Sequence, residues 1–148
     1  MRAILQRTSG VEVWIDSKCH ARTESGLLVL FGTRTGDQEE SCGLLADKTV
    51  NLRIFEDAGG KMNLSALDLK AEIMIVSQFT LYADTHKGRR PGFSEAMEPV
   101  RAAQLYETFI DRVAASGLTT RSGIFGARMD IRFSNIGPVT IILDHDTD

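Results

Sequence analysis

The sequence predicts an α/β domain in which mixed or antiparallel β-sheets pack with two main helices. Three observations support this fold class: strand-like segments outnumber helical ones, only two segments keep a helical period, and strands lie between those two. Neither an internal repeat nor a linker interrupts the 148 residues. We therefore expect residues 1–148 to form a single domain with one continuous architecture.

The composition excludes several function classes. Hydrophobic residues make up 43% of the chain and charged residues 25%, with a formal net charge of −3. An acidic protein is not a general nucleic-acid-binding domain, so we expect no DNA partner, and any RNA contact must be a local basic patch. No segment approaches the roughly 18 apolar residues of a membrane span, and the first residues do not resemble a signal peptide. Cys19 and Cys42 form no paired motif, so the expected setting is reducing and cytoplasmic, without a membrane partner.

The first strands are predicted from alternation and from apolar runs. Val11, Val13 and Ile15 alternate with Glu12, Trp14 and Asp16, which is the period of a half-buried strand. A turn at 16–18 leads to a return strand over 19–23. Five apolar residues between two glycines predict a short central strand over 27–31. A brief extended segment follows at 53–56, before a glycine-rich turn.

Two helices are predicted, over about 37–52 and about 99–116. Asp37 is expected to be the first N-cap and to form a capping box with Glu40. Pro99 suits the first position of the second helix, and Gly117 is its stop signal. The inward stripe of the first helix is Cys42, Leu45, Ala46, Thr49 and Val50.

The most informative strand is Ile73-Met74-Ile75-Val76, whose four apolar residues predict burial on both faces. It runs directly into Ser77-Gln78-Phe79-Thr80-Leu81, which places hydroxyls and an amide at the end of a buried strand. The longest loop, over 82–95, comes next. This arrangement is typical of the rim of a binding site, although serine and threonine also end strands for local hydrogen bonding.

A second polar cluster lies near the C-terminus. Two alternating strands, over 129–133 and 139–143, flank the segment Asn135-Ile136-Gly137-Pro138, and Val139-Thr140 follows it. Taken alone, a Gly-Pro pair between strands is most often a turn. The acidic tail from Asp144 to Asp148 is expected to fray.

Other catalytic signatures are missing from the sequence. His20, His86 and His145 are scattered, and no cluster of histidine, cysteine or carboxylate has metal-ligand spacing. Neither a nucleophile elbow nor a phosphate-binding glycine loop is found. If the protein is an enzyme, we expect it to work without a metal, a cofactor or a Ser-His-Asp triad.

Together, the two polar clusters resemble the signature motifs of the D-aminoacyl-tRNA deacylases, Ser-Gln-Phe-Thr-Leu and Asn-x-Gly-Pro-x-Thr. One departure is Ile136, where a polar or acidic residue is expected. Further stretches resemble the family in the expected order, so the likeness spans essentially the whole chain. They are Gln6-Arg7, Gly26-Leu27-Leu28-Val29-Leu30, Arg53-Ile54-Phe55, Gly60-Lys61-Met62-Asn63, Arg90-Pro91 and Phe93-Ser94.

The resemblance implies an enzyme that hydrolyses the ester of D-aminoacyl-tRNA, and of glycyl-tRNA, while it rejects L-aminoacyl-tRNA. It implies a homodimer with shared active sites. The first motif, Ser77, Gln78, Phe79 and Thr80, would line the pocket for the terminal adenosine and the aminoacyl group. The second would reach in from the partner subunit with a Gly137-cis-Pro138 peptide, braced by Arg7 and supported by Asn135 and Thr140.

Physical chemistry agrees with these implied roles. A cis X-Pro bond costs little, and such a turn can point two carbonyl oxygens at a substrate ammonium. An L side chain would then strike the Gly-Pro backbone, which selects by exclusion. Backbone N–H groups near Phe79 and Thr80 are expected to hold the oxyanion, with water attack assisted by the ribose 2′-hydroxyl. The basic residues Lys87, Arg89 and Arg90 are the expected tRNA contacts.

Two alternatives stay open at this point. One is a deacylase of the same fold that acts on another misacylated tRNA, which a different orientation of the Gly137-Pro138 loop would favour. The other is a non-catalytic RNA-binding homodimer, although such a protein would have no need to keep Ser77, Gln78 and Thr80.

Overall fold

The computed structural model describes residues 1–145, and a mixed six-stranded sheet forms its centre. The eight strands are β1 (Arg2–Ile15), β2 (Lys18–Thr23), β3 (Gly26–Gly32), β4 (Phe55–Glu56), β5 (Met62–Leu64), β6 (Glu72–Ser77), β7 (Thr120–Ser122) and β8 (Asp130–Asp144). The helices are α1 (Glu39–Asn51), α2 (Ala66–Leu69) and α3 (Pro99–Ala114).

Strand β1 connects the two halves of the large sheet. It pairs antiparallel with β2, β3 and β8, whereas β3 pairs parallel with β6 and β6 pairs parallel with β7. Strands β4 and β5 form a separate two-stranded sheet. The predicted α/β class with mixed pairing is confirmed.

Strand β6 is buried on both faces, as its apolar run predicts. Ile73 and Ile75 belong to the main core, together with residues of α1 and α3. Met74 and Val76 point the other way, into a smaller core with Val11 and Val13 of β1. All four β6 side chains are at most 2% exposed. The strand therefore lies between two apolar layers and gives its C-terminal end a fixed position.

The predicted helices exist, with ends that differ by at most two residues. Pro99 occupies the start of α3, and the Glu98 side chain accepts hydrogen bonds from the N–H groups of Val100 and Arg101. The predicted inward stripe of α1 is buried. No helix within residues 1–145 is long and apolar enough to cross a bilayer.

The predicted capping box at the start of α1 is wrong. Gln38, without a side-chain cap bond, precedes the helix, and Asp37 lies outside it. The buried Asp37 carboxylate instead accepts a 2.7 Å hydrogen bond from the Met1 ammonium group and a 2.8 Å bond from Arg34 N–H. A buried ammonium needs a full countercharge, and this ion pair takes the carboxylate that capping would have used.

Strand β1 is longer than the alternation over 11–15 predicts. Its N-terminal half alternates through buried Ala3 and Leu5, but the next inward positions are Arg7 and Thr8, which are also buried. These two polar residues interrupt the apolar period, so the sequence pattern does not show the whole strand.

The region around Pro138 also differs from the prediction. Residues 130–144 form one strand, β8, rather than two strands joined by a turn. Its pairing with β1 is irregular where Gln6 opposes Thr140 and Thr8 opposes Asn135, so residues 136–139 bulge out of the ladder. Asp144 pairs with Arg2 as the last residue of β8, so the expected fraying does not begin there; residues 146–148 of that tail lie outside the described residues.

The close approach of β3 to β6 gives a test of the packing. A Cβ on Gly26 would lie 1.8 Å from the Glu72 carbonyl oxygen, so Gly26→Ala must push the two parallel strands apart. We expect a loss of about 2 kcal/mol or more in the free energy of unfolding, measured by urea denaturation.

Gly43→Ala is the matched control, because a Cβ at this α1 position has nothing within 4 Å. That variant is expected to gain about 0.5–1 kcal/mol from helix propensity. Equal stability of the Gly26→Ala variant and the native protein would contradict the packing of β3 on β6.

Candidate functional site

The main cavity lies where two parallel strands end. Strands β3 and β6 run in the same direction, so their carboxyl ends meet at one edge of the sheet, as in other open α/β sheets. The cavity there has a volume of about 670 Å³, enough for a nucleoside with an attached small group. Its walls come from these two strand ends, the segment before α3, α3 itself and the connection into β8.

Apolar and aromatic side chains dominate the walls. Tyr106 on α3 and Phe125 in the connection to β8 lie opposite the strand ends, and their rings are 6.0 Å apart. The other lining residues are Phe31, Gly32, Thr33, Val76, Ser77, Gln78, Phe79, Phe93, Ala96, Met97, Glu98, Pro99, Ala102, Gly126, Ala127, Met129 and Ile131. This surface suits the planar face of an aromatic ligand, and few of the lining side chains are polar.

The first motif forms that polar rim. Ser77 is the last residue of β6, and residues Phe79–Tyr82 form a short 3₁₀ turn rather than more strand; we call residues 78–82 the rim turn. Ser77, Gln78 and Phe79 line the cavity, whereas Thr80 does not. Thr80 is nevertheless tied to the lining, because its hydroxyl accepts a hydrogen bond from the Gln78 side-chain amide.

The rim turn presents two unused backbone donors. Gln78 N–H donates to Phe31 O at 2.8 Å, and Leu81 N–H donates to Gln78 O. The N–H groups of Phe79 and Thr80, at the start of the turn, donate to no acceptor within residues 1–145. A close pair of free N–H groups is a ready site for a developing negative charge.

Within residues 1–145, the cavity lining contains no histidine, and its one carboxylate is already hydrogen-bonded. Glu98 is the acidic side chain of the walls, and both of its oxygens already accept backbone hydrogen bonds from α3. Burial raises the pKa of Tyr106 to about 12, and its hydroxyl donates to Ile75 O at 2.8 Å, so it stays protonated at neutral pH. Over residues 1–145, no group of three or more histidine, cysteine or carboxylate residues could hold a metal ion.

The segment between the rim turn and α3 closes one side of the cavity. Phe93 contacts Phe79 edge to face, with ring centroids 5.0 Å apart, and both rings are partly exposed. Backbone hydrogen bonds between Asp84 and Gly92 close a loop, and Lys87, Arg89 and Arg90 are exposed on it. None of these three basic side chains pairs with a carboxylate in the described part of the chain.

The bulge of β8 is held by a hydrogen-bond frame. Asn135 closes its base, because its side chain accepts from Val139 N–H at 2.7 Å and donates to Val139 O and to the Thr140 hydroxyl. Buried Arg7 donates to Ile136 O and to Ile54 O, each at 2.9 Å. Ile136 therefore contributes its backbone carbonyl, and its side chain stays exposed.

Gly137 and Pro138 form the exposed tip of the bulge, and the peptide bond between them is cis. Gly137 has φ +137°, and a Cβ there would lie 2.9 Å from the Arg7 guanidinium, so this position requires glycine.

Within one chain, the bulge and the cavity are separate. Neither Gly137 nor Pro138 lines the cavity. Ile131, near the start of β8, does line the cavity, so the separation concerns the bulge and not the whole strand.

Sequence motifs and periodicity do not identify several of the residues that line the cavity. Tyr106 looks like an ordinary core position of a helix stripe, and Met97 and Phe125 lie outside any periodic segment. Phe93 belongs to one of the stretches that resemble the family, but nothing in its local pattern predicts contact with Phe79. Their roles depend on long-range packing, which a local pattern does not encode.

Comparisons with known proteins agree with the geometry. A family model described as D-Tyr-tRNA(Tyr) deacylase matches residues 4–144. The chain is 54% identical to a D-aminoacyl-tRNA deacylase of Aquifex aeolicus and 48% identical to one of Thermosipho africanus, with 97% of each chain covered.

Solved structures are also similar. The c-Myc DNA unwinding element binding protein superposes with a TM-score of 0.92 at 34% identity, covering 99% of this chain and all of the other. A probable eukaryotic D-amino acid tRNA deacylase has the same fold, with a TM-score of 0.82 at 21% identity over 97% and 98% of the two chains. From the family model and the close relatives, the chain belongs to the D-Tyr-tRNA(Tyr) deacylase family.

Proposed function

We propose that this protein is a D-aminoacyl-tRNA deacylase, which hydrolyses the ester between a D-amino acid and the terminal ribose of tRNA. The observation that carries the proposal is the pair of free N–H groups, on Phe79 and Thr80, at the rim of a cavity without a general base. Family membership supports the same reaction. The products are the free amino acid and an uncharged tRNA, and glycyl-tRNA is a second substrate because glycine has no side chain to exclude.

The apolar cavity is proposed to hold the terminal adenosine. An adenine ring fits between aromatic walls such as Phe79, Tyr106 and Phe125, where stacking and burial both favour a planar base. With the base held inside, the ribose and its ester lie at the polar rim, next to Ser77 and Gln78. Binding energy from the non-reacting adenosine thus positions the reacting carbonyl.

The chemical step follows from the groups at the rim. Water attacks the ester carbonyl carbon, and the negative charge that develops on the carbonyl oxygen is held by Phe79 N–H and Thr80 N–H. The ribose 2′-hydroxyl of the substrate assists by accepting the proton of the water and delivering it to the leaving 3′ oxygen. The C–O ester bond then breaks. Gln78 and Thr80 position these groups through their mutual hydrogen bond.

Selection against L-amino acids is assigned to Gly137 and Pro138 of a second subunit. The exposed bulge does not line the cavity of its own chain, whereas a homodimer can insert it into the partner's cavity. The frame of Arg7 and Asn135 makes the bulge a rigid wall rather than a mobile loop. A rigid backbone next to the α-carbon excludes an L side chain and leaves a D side chain directed to solvent.

The tRNA backbone is proposed to contact Lys87, Arg89 and Arg90. These exposed cations project from the loop directly after the rim turn, so they are placed for the phosphates nearest the reacting end. Such contacts make binding weaken as the salt concentration rises.

Chiral selectivity is the direct test. We expect the protein to hydrolyse D-Tyr-tRNA and glycyl-tRNA and to leave L-Tyr-tRNA intact, because only the L side chain meets the bulge. Ester loss is followed with amino acid-labelled tRNA and compared with the uncatalysed rate. Equal hydrolysis of the D and L substrates, or of neither, would refute the proposal, and preference for L-Tyr-tRNA would favour another misacylated substrate.

Replacing Thr80 tests whether its hydroxyl is a nucleophile or only positions other groups. We expect Thr80→Val, which keeps the side-chain shape, to retain kcat for D-Tyr-tRNA within about a hundredfold, whereas loss of a covalent nucleophile costs about 10⁴-fold or more. Single-turnover kinetics measure the chemical step. A drop to the uncatalysed rate in a folded variant would show that the hydroxyl attacks the ester.

Dilution tests the shared active site. As the protein is diluted, we expect activity per subunit to fall in proportion to the dimer fraction, which sedimentation velocity measures. The preference for D-Tyr-tRNA over L-Tyr-tRNA should fall in the same way. The physical reason is that a monomer retains the cavity but lacks the partner's Gly137-Pro138 bulge. A verified monomer with full D-selective activity would disprove completion by a second subunit.

A further inference from the structure

We propose that Arg2 is a positioning residue for the hydrolysis, which it supports by holding the rim turn that carries Phe79 and Thr80. This inference rests on the proposed function for its catalytic readout, and on the contacts of Arg2 for its geometry. Arg2 does not line the cavity, so it acts through the turn rather than on the substrate.

The rim turn has few attachments of its own. One end is fixed where Gln78 N–H donates to Phe31 O. The turn also lies close to Gly32, because a Cβ added there would be 2.9 Å from Gln78 O and 3.2 Å from the Leu81 Cβ. Within the turn, the hydrogen bond from Leu81 N–H to Gln78 O is long, at 3.3 Å. At the far end the Tyr82 side chain is buried, but a four-residue 3₁₀ turn contributes little stability by itself, so contacts with other elements hold this end.

Arg2 supplies that support from strand β1. Its Nη1 donates to Leu81 O at 3.1 Å, and its guanidinium lies over the Tyr82 ring, 5.4 Å from the centroid. Leu81 and Tyr82 are the last two residues of the rim turn. The planar guanidinium therefore contacts both a carbonyl and a ring of the same turn, which a point charge cannot do equally well.

The guanidinium is itself held in place. Its Nε and Nη2 donate to the two carboxylate oxygens of Asp144 at 2.7 and 3.2 Å, in the paired geometry that fixes orientation as well as position. The backbone of Arg2 lies between Gly32 of β3 and Asp144 of β8 in the sheet. Next to it, the Met1 ammonium is anchored on buried Asp37. A fixed donor of this kind can fix the turn.

We expect the contacts of Arg2 with the rim turn to affect the rate of hydrolysis more than the binding of the tRNA substrate. The free N–H groups of Phe79 and Thr80 must meet the oxyanion at hydrogen-bond distance, and a displacement of about 1 Å can cost a factor of about 100 in rate. The adenosine contacts lie mostly on other elements of the cavity. Loss of Arg2 is therefore expected to lower kcat while KM changes little.

Arg2→Ala provides the test, with Arg132→Ala as its matched control. Arg132 also donates two hydrogen bonds to a strand-end carboxylate, Asp130, and its guanidinium lies 4.4 Å from the centroid of the Trp14 ring. Within residues 1–145, it makes no hydrogen bond or ring contact with the rim turn. We expect Arg2→Ala to lower kcat for D-Tyr-tRNA about tenfold or more with KM within about twofold, and Arg132→Ala to leave both unchanged.

Two further measurements distinguish positioning from general stability. Methylguanidinium added to Arg2→Ala should restore part of kcat, and Arg2→Lys should be intermediate and provides a folded variant if Arg2→Ala misfolds. Hydrogen exchange at the Ala83 amide, which donates to Thr80 O, should speed up in Arg2→Ala and not in Arg132→Ala.

The contrary outcomes are equally specific. An unchanged kcat, a loss confined to KM, an equal loss in Arg132→Ala, or unchanged Ala83 exchange would each overturn the role of Arg2. If the native protein does not hydrolyse D-Tyr-tRNA, the proposed function fails instead. Ala83 exchange then still decides whether Arg2 holds the turn.

Discussion

Two adjacent parallel strands, β3 and β6, are buried on both faces, and their common direction determines where the rest of the molecule can act. Parallel strands end at the same edge, so Phe31 and Ser77 come together there. The main core under α1 and α3 and the smaller core on the other face hold this pair from both sides. The cavity and the rim turn both lie at the edge of the sheet that this burial fixes in position.

The chemistry proposed for the site depends on backbone groups more than on side chains. Oriented N–H groups in a short turn need no proton transfer to become active, and they keep their direction through the whole reaction. Among the described residues that line the cavity, the tyrosine is a protonated phenol and the carboxylate of Glu98 accepts hydrogen bonds from the start of α3, so neither is a free base. An enzyme of this kind depends on positional accuracy, which explains why the elements around the turn are tied to β1 and β8.

Sequence reasoning predicted the fold class, the buried strand at Ile73 and both major helices, because each has a local periodic signal. The two motifs are identified by resemblance, and the structure adds that the first continues into a 3₁₀ turn and the second forms a bulge of β8. Local patterns failed where an interaction is long-range. The local pattern predicts Asp37 as a helix cap, but its carboxylate pairs with the Met1 ammonium, 36 residues away. Buried Arg7 interrupts the apolar alternation of β1, so the pattern does not predict the full length of that strand. The cavity residues Tyr106 and Phe125 are likewise visible only after packing.

The frame around the bulge has a consequence for mutational freedom. Arg7 contacts the carbonyl oxygen of residue 136, and every amino acid carries that oxygen. The side chain at this position is exposed and takes no part in the frame. Position 136 can therefore accept isoleucine or an acidic residue without loosening its neighbours, whereas Gly137 has no such latitude. A change of side chain at position 136 therefore leaves the hydrogen bond between its carbonyl oxygen and Arg7 intact.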